Sequence, residues 1–312
     1  MHPLNDRVLV TGGAGFIGSH LVESLLSRGA NRVTVLDNFS RGRTSNLASV
    51  ADDQRLEVIE GDVRNYATIR TAVQSADVIY HLAAQASVMS AARNVDYTFT
   101  TNVVGTYNVL KAAAEGTMRR VVFASSREVY GEPLTLPVDE AHPLLSINSY
   151  GASKVAGEAL CRAFAREAKV QTAVLRIANA FGPRDFGRVI PHWIEQATAG
   201  NELIVYGGGQ ILDFIWVDDV VEAMVCAAAA TVTLPPINVA SGTGTKILDL
   251  ARRIGQLVGR STEVRVVAHR PIEVTRFIGD PSRMSQLLGI RPAADPLAQL
   301  SEMIRPLAGA AA

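Results

Sequence analysis

An α/β fold, a doubly wound parallel sheet with a smaller interleaved C-terminal lobe, is what this sequence predicts, on two observations. Continuous β-branched runs alternate with stretches of helical apolar spacing through about the first 180 residues. The first run then feeds directly into a glycine-rich turn, Gly12-Gly13-Ala14-Gly15-Phe16-Ile17-Gly18. The expected strands are Arg7–Thr11, Arg32–Leu36, Leu56–Glu60, Asp77–His81, Arg119–Ser125 and Gln171–Ile177. Between them Ser19–Arg28, Ala67–Ser75, Thr98–Glu115 and Ser149–Ala168 are long enough for crossover helices.

Beyond Ile177 the alternation is broken by Gly182-Pro183, Gly207–Gly209 and Pro235-Pro236, with Ile237–Ala240 able to return as one more strand. The expected division is residues 1–178 plus about 213–240 in a dinucleotide-binding domain, and about 179–212 plus 241–312 in a substrate lobe. The Ala308–Ala312 tail is too simple to be ordered.

The 312 residues carry 30 Lys and Arg against 30 Asp and Glu, so no net field steers the chain toward nucleic acid or an anionic membrane. With 48% hydrophobic residues it can fill an enzyme-sized core. Cys161 and Cys226 match no metal-ligand spacing and are expected as buried free thiols. The N-terminus reaches a strand too soon for a signal peptide, and Val220–Val232 is shorter than the ~20 residues of a membrane span, so the expected location is the cytoplasm.

In the glycine turn, residues 12, 15 and 18 allow the tight bend, the approach of backbone to a pyrophosphate and the packing of helix on strand, while the helix N-terminus supplies N–H donors. This is the Rossmann fingerprint, and Asp37 at the end of the second strand suits the adenosine ribose hydroxyls. Its charge would repel a 2′-phosphate, favouring NAD over NADP, although Arg41 and Arg43 stand nearby. Asp62 suits the adenine amino group, and Leu82-Ala83-Ala84 offers small residues beside the cofactor, or plain helix packing.

Tyr150 and Lys154 lie four apart on one helix face. A phenol of ordinary pKa near 10 is a poor base, but an ammonium ~4 Å away contributes about 4 kcal/mol at an effective dielectric near 20. Lys154 is therefore expected to lower the Tyr150 pKa and bind the nicotinamide ribose, with Tyr150 as proton acceptor and donor. Ser125 and Ser126 end the fifth strand at the carboxyl edge of the sheet, where a hydroxyl can hold the reacting oxygen.

Together, TGGAGFIG at 11–18, DNFSRG at 37–42, HLAAQ at 81–85, Asn102, SSREVYG at 125–131, YGASK at 150–154, NAFGPR at 179–184 and DFIWVDDV at 213–220 resemble the extended short-chain dehydrogenases/reductases, specifically the nucleotide-sugar epimerases and dehydratases. The resemblance implies NAD contacts at Phe16, Ile17, Asn38, Ser40, Gly42, Val63, Gln85, Asn102 and Ser125 besides the residues above. It places substrate contacts at Ser87, Ser126, Arg127, Asn179, Arg184, Arg188, Val189, Tyr206, Arg270 and Phe277. It also implies a homodimer through a four-helix interface built from Thr98–Glu115 and the helix carrying Tyr150.

Relatives that eliminate water carry an Asp-Glu pair after the catalytic hydroxyl, whereas here Arg127 and Glu128 follow Ser126, and an arginine cannot donate that proton. The leading expectation is a 4-epimerase acting on a UDP-hexose or UDP-hexuronate, with Ser126, Tyr150, Lys154 and Glu128 as the catalytic set. Glu128 keeps a UDP-glucuronate decarboxylase open, and equally a structural role at the turn. The non-enzymatic alternative is an NAD-sensing regulator. The resemblance expects a phosphate-binding arginine where Leu212 stands, leaving Arg270, Arg188 or Arg276 to supply that charge. Phe277 implies poor acceptance of N-acetylated sugars, and Arg184 or Arg188 is the expected partner of any sugar carboxylate.

Overall fold

A computed structural model describes residues 6–116, 120–259 and 262–304. Arg119 and the alanine-rich tail, both subjects of expectations above, lie outside the described residues.

The strands are β1 (Arg7–Thr11), β2 (Arg32–Asp37), β3 (Leu56–Glu60), β4 (Val78–His81), β5 (Arg120–Ser126), β6 (Thr172–Ile177), β7 (Asn179–Phe181), β8 (Leu203–Tyr206), β9 (Ile211–Trp216), β10 (Ile237–Val239), β11 (Gly244–Lys246), β12 (Val264–Val267) and β13 (Arg276–Phe277). The helices are α1 (Phe16–Ser27), α2 (Tyr66–Val73), α3 (Val88–Arg93), α4 (Val95–Phe99), α5 (Gly105–Glu115), α6 (Ser149–Glu167), α7 (Val189–Ala199), α8 (Val217–Ala229), α9 (Ile247–Val258) and α10 (Ser282–Leu288).

Seven strands form one parallel sheet in the order β10-β6-β5-β4-β1-β2-β3. The order reverses between β1 and β4, which opens a crevice at their carboxyl ends. Every residue of β4 and β5 is buried, as continuous apolar runs covered on both faces require. Ile237 pairs with Leu175, so the anticipated late strand joins this sheet.

The second lobe is built on β11-β9-β13, with β7 alongside β9 and a separate β12-β8 pair. Asp213–Trp216 belong to β9 and pair within this lobe, not within the seven-stranded sheet of the first domain where they are expected. Asp213 ties the lobe together: its carboxylate accepts from Ser241 N and Oγ (2.8 and 2.7 Å), Gly242 N (3.0 Å) and Gly279 N (3.1 Å). Burial pushes its carboxyl up to about 6 against those donors.

Inside the first domain Glu158 accepts from Ser125 Oγ at 2.6 Å and from Arg176 Nη2 at 2.7 Å, pinning the end of β5 to α6 and β6. Cys161 is buried as expected, but Cys226 is only half-buried, beside Glu222. Among the described residues no helix is long and apolar enough to cross a membrane.

Candidate active site

A cleft of about 1000 Å³ runs along the carboxyl edge of the sheet, between the glycine turn and the second lobe. Gly15 caps α1 without any side-chain bond, so the first-turn N–H groups remain available to a diphosphate. A Cβ at Gly18 would stand 2.2 Å from the Gly12 carbonyl oxygen, and one at Gly12, whose φ is +74°, would stand 2.8 Å from Ala83 N. These close approaches hold the backbone in the shape a dinucleotide needs.

Asp37 ends β2 facing the same groove and accepts from Ala14 N (3.0 Å) and Phe39 N (2.9 Å); burial raises its carboxyl despite both bonds. Gly42 leaves room for that carboxylate, since a Cβ there would lie 2.8 Å from it. The two nearby arginines turn elsewhere: Arg43 stacks on Phe186 at 3.9 Å and Arg41 reaches the Phe186 carbonyl at 3.5 Å, across the cleft. The donor set and shape fit NAD.

Asp62 departs from its expected role. It does not line the cleft, because Arg64 (2.7 Å) and Asn38 Nδ2 (2.9 Å) occupy its carboxylate, and Arg64 holds it down to about 2. Asn102 is a second departure. It lies in the single π-helical turn Thr100–Val104 between α4 and α5, buried, accepting from Gln85 N (2.7 Å) and donating to Ser153 Oγ (2.9 Å). It therefore fixes the Gln85 strip against α6 without facing the cleft.

The residues expected to be catalytic, Ser126, Tyr150 and Lys154, meet where β5 ends and α6 begins. Asn148 caps α6 by accepting from Gly151 N at 2.8 Å, which sets Tyr150 in the first turn and Lys154 one turn later. The Tyr150 and Ser126 side chains line the same stretch of the cleft, and Ser126 Oγ accepts from Glu128 N at 3.2 Å.

Lys154 Nζ lies 5.9 Å from the Tyr150 ring centre and donates to the Ala124 carbonyl at 2.8 Å. Burial pushes the Tyr150 phenol up; Ser126 and the charges of Arg188 and Arg127 oppose this, while Glu128 adds to it. The expected lowering by Lys154 is thus not the governing influence, because the ammonium is spent on Ala124 rather than aimed at the phenol. Burial likewise pushes Lys154 down to about 8. His81, beneath the site, is bonded to Thr11 and Thr106 and pushed down to about 3 by burial, so it is a neutral structural group.

Toward the second lobe, Ser87, Arg127, Asn179, Arg184, Arg188, Val189, Tyr206 and Arg270 all line the cleft. Arg127 pairs with Glu128 at 2.9 Å, both largely buried. Arg270 stacks over Tyr206 at 3.6 Å and pairs with Glu273. Arg184 is already committed: it holds Glu23 (2.6 Å), the Asn46 carbonyl (2.8 Å) and His20 (2.9 Å), contacts that sustain its φ of +66°. Arg188 keeps a looser pair with Asp185 at 3.6 Å.

Phe277 and Arg276 do not line the cleft. Phe277 is 1% exposed and stacked on Tyr130 at 6.0 Å, so it cannot screen an N-acetyl group by direct contact. Arg276 is exposed on β13. Leu212 does line the cleft, confirming an apolar side chain at that point. Two further lining residues, Asp185 and Gln210, carried no periodicity or spacing that would have singled them out. Asp185 is buried beside Arg188 and Arg41, and burial pushes its carboxyl up to about 6.

A model of the NAD dependent epimerase/dehydratase family matches residues 8–240. The chain belongs to this family. UDP-glucuronic acid decarboxylase 1 of Xenopus tropicalis is 36% identical over 92% of this chain and 68% of its own length. Two solved structures are similar throughout. One is UDP-glucose 4-epimerase of Thermotoga maritima with UDP-glucose (TM-score 0.92, 29% identity, 98% of this chain and 100% of that one). The other is UDP-glucuronic acid 4-epimerase of Bacillus cereus with UDP-glucuronic acid and NAD (TM-score 0.90, 28% identity, 96% and 99%). The protein is accordingly an NAD-dependent enzyme of the nucleotide-sugar epimerase/dehydratase family.

Proposed function

We propose that this enzyme is a UDP-sugar 4-epimerase acting through a transient 4-keto sugar. The observation that carries the reading is the convergence of Ser126, Tyr150 and Lys154 on one cleft at the carboxyl edge of the sheet, facing the glycine turn. NAD, when bound, supplies the acceptor and later the donor of hydride at C4. Tyr150 Oη takes the O4 proton as the carbonyl forms and returns it on reduction, so no net acid or base is consumed. Ser126 holds O4 during both transfers. Lys154, released from Ala124 onto the ribose, brings its charge toward the phenol. The uridine assignment is supported by the UDP-sugars bound in both similar structures.

One observation favours a second outcome. Glu128 is buried one residue from Arg127 and two from Ser126, and the curated relatives include UDP-glucuronic acid decarboxylases. A 4-keto hexuronate can lose its carboxyl group as carbon dioxide, the electron pair of the broken carbon–carbon bond forming an enolate that takes a proton. Dehydration is disfavoured because Arg127 stands where an acid would be needed. Incubating the purified enzyme with UDP-glucose and with UDP-glucuronate, followed by product mass, separates these outcomes: a 4-epimerase conserves mass. Loss of the mass of carbon dioxide from the glucuronate would establish decarboxylation instead.

We also place the nucleotide-sugar between the two lobes, and read the assembly as a homodimer. Val95, Phe99 and Tyr107 are exposed large apolar residues on the α4/α5 side, next to α6, where a second copy would cover them.

A further inference from the structure

The turn after β5 contains a cation that the redox chemistry does not use. The Arg127 side chain is 11% exposed. Its Nε donates to Asn179 Oδ1 at 3.1 Å, its Nη2 pairs with Glu128 Oε1 at 2.9 Å, and its guanidinium carbon lies 5.7 Å from the Phe277 ring centre. Nη1 is buried and has no hydrogen-bond partner among the described residues. A buried donor left unmatched is costly, and more so when it is charged.

Everything around the guanidinium holds it in place. Glu128 is itself bound by Asn148 Nδ2 at 2.8 Å, from the cap of α6. Asn179 passes the connection on by donating to the Asp213 carbonyl at 2.8 Å, on β9. Phe277, whose ring lies under Arg127, pairs in register with Leu212 of β9. Arg127 thus brings a positive charge to the cleft wall one residue from Ser126, where Leu212 also lines the cleft. Of the other lobe-facing arginines, Arg184 is paired with Glu23 and Arg270 with Glu273, while Arg188 keeps a looser pair with Asp185 and is more exposed.

We propose that Arg127 is a specificity-determining residue that recognises a carboxylate on the sugar, with Glu128 as its positioning partner, so that the substrate is a UDP-hexuronate. This rests on the UDP-sugar reading above. A guanidinium carries five N–H donors in a fixed plane and can serve two carboxylates at once, Glu128 through Nη2 and the sugar through the uncommitted Nη1 edge after a small rotation. A neutral hydroxymethyl group in the same place accepts one weaker bond.

The test is calorimetric binding of UDP, UDP-glucose and UDP-glucuronate to the NAD-loaded enzyme and to Arg127→Lys and Arg127→Met. Because Arg127→Met strands a buried carboxylate, the double variant Arg127→Met/Glu128→Gln removes the pair as a unit. The wild type is expected to bind UDP-glucuronate at least about tenfold more tightly than UDP-glucose. In the double variant that ratio falls to about one while UDP affinity stays within about twofold, and Arg127→Lys keeps part of the preference. An unchanged ratio in the double variant, equal weakening of both sugars, or a wild-type preference for UDP-glucose would overturn the assignment. Failure of the UDP-sugar reading itself shows differently, as no binding of UDP by the wild type.

Discussion

Lys154 Nζ donates to the Ala124 carbonyl at 2.8 Å while standing 5.9 Å from the centre of the Tyr150 ring. The ammonium is therefore held in reserve beside the phenol, one helical turn away. Replacing Tyr150 with Phe removes the proton acceptor but leaves the cleft wall intact, so kcat should fall by about 10²–10⁴-fold with little change in UDP-sugar affinity. Lys154→Met should lower kcat and weaken NAD binding together. Steady-state kinetics combined with NAD titration checks both, and full activity in Tyr150→Phe would exclude the proposed proton transfer.

The pH profile follows from the same pair. Burial pushes Lys154 down to about 8, while the Tyr150 phenol is pushed up from its ordinary value. Lys154 is thus the first of the two to lose its proton as pH rises, and the lost charge is the one that assists the phenol. Activity should fall along an alkaline limb centred near pH 8. A kcat that stays level to pH 10 would contradict this. For stability the sign is equally definite: a lysine with a depressed folded pKa opposes folding while charged, so its penalty is relieved as pH rises from about 8 toward 10.5.

Gly18 is expected to tolerate no side chain. A methyl group there would sit 2.2 Å from the Gly12 carbonyl and 2.8 Å from Gly13 Cα, both backbone atoms. Gly18→Ala must push α1 off the turn, which disorganises the N–H groups that face the diphosphate. NAD affinity should drop by at least about tenfold and thermal stability should fall, by an amount readable in a melting curve with and without NAD. Unchanged NAD stabilisation would place the cofactor elsewhere.

Phe99, 55% exposed on α4, tests the assembly. If a second copy covers this helix, Phe99→Glu should convert a dimer into a monomer without loss of fold, as read by light scattering and circular dichroism. A wild-type mass near 33 kDa would rule the stable dimer out.

The parts of the site that were legible in the sequence are those whose geometry is local. Gly12, Gly15 and Gly18 act within one turn, Asp37 follows at the end of the next strand, and Tyr150 and Lys154 share a helix face; each needs only spacing to be read. The roles that shifted depend on partners far along the chain. Arg184 is held by Glu23, 161 positions away, Asn102 by Gln85 and Ser153, and Phe277 by Tyr130. Asp62 was diverted by a nearer neighbour, Arg64, whose two-residue spacing was visible but whose strength against an adenine contact was not. Helix spacing puts Lys154 beside Tyr150 but does not reveal the competing carbonyl at Ala124 that takes its ammonium.

Hydride that leaves C4 and returns to C4 is the central claim, and deuterium at that carbon follows it directly. The measurement is the mass and NMR spectrum of the product formed from UDP-glucuronate deuterated at C4, with NADH absorbance recorded in parallel. The account predicts a C4-inverted product of unchanged mass that keeps its deuterium, with no NADH building up. Deuterium lost to solvent, a product lacking its carboxyl group, or NADH accumulating in step with substrate consumed would contradict it.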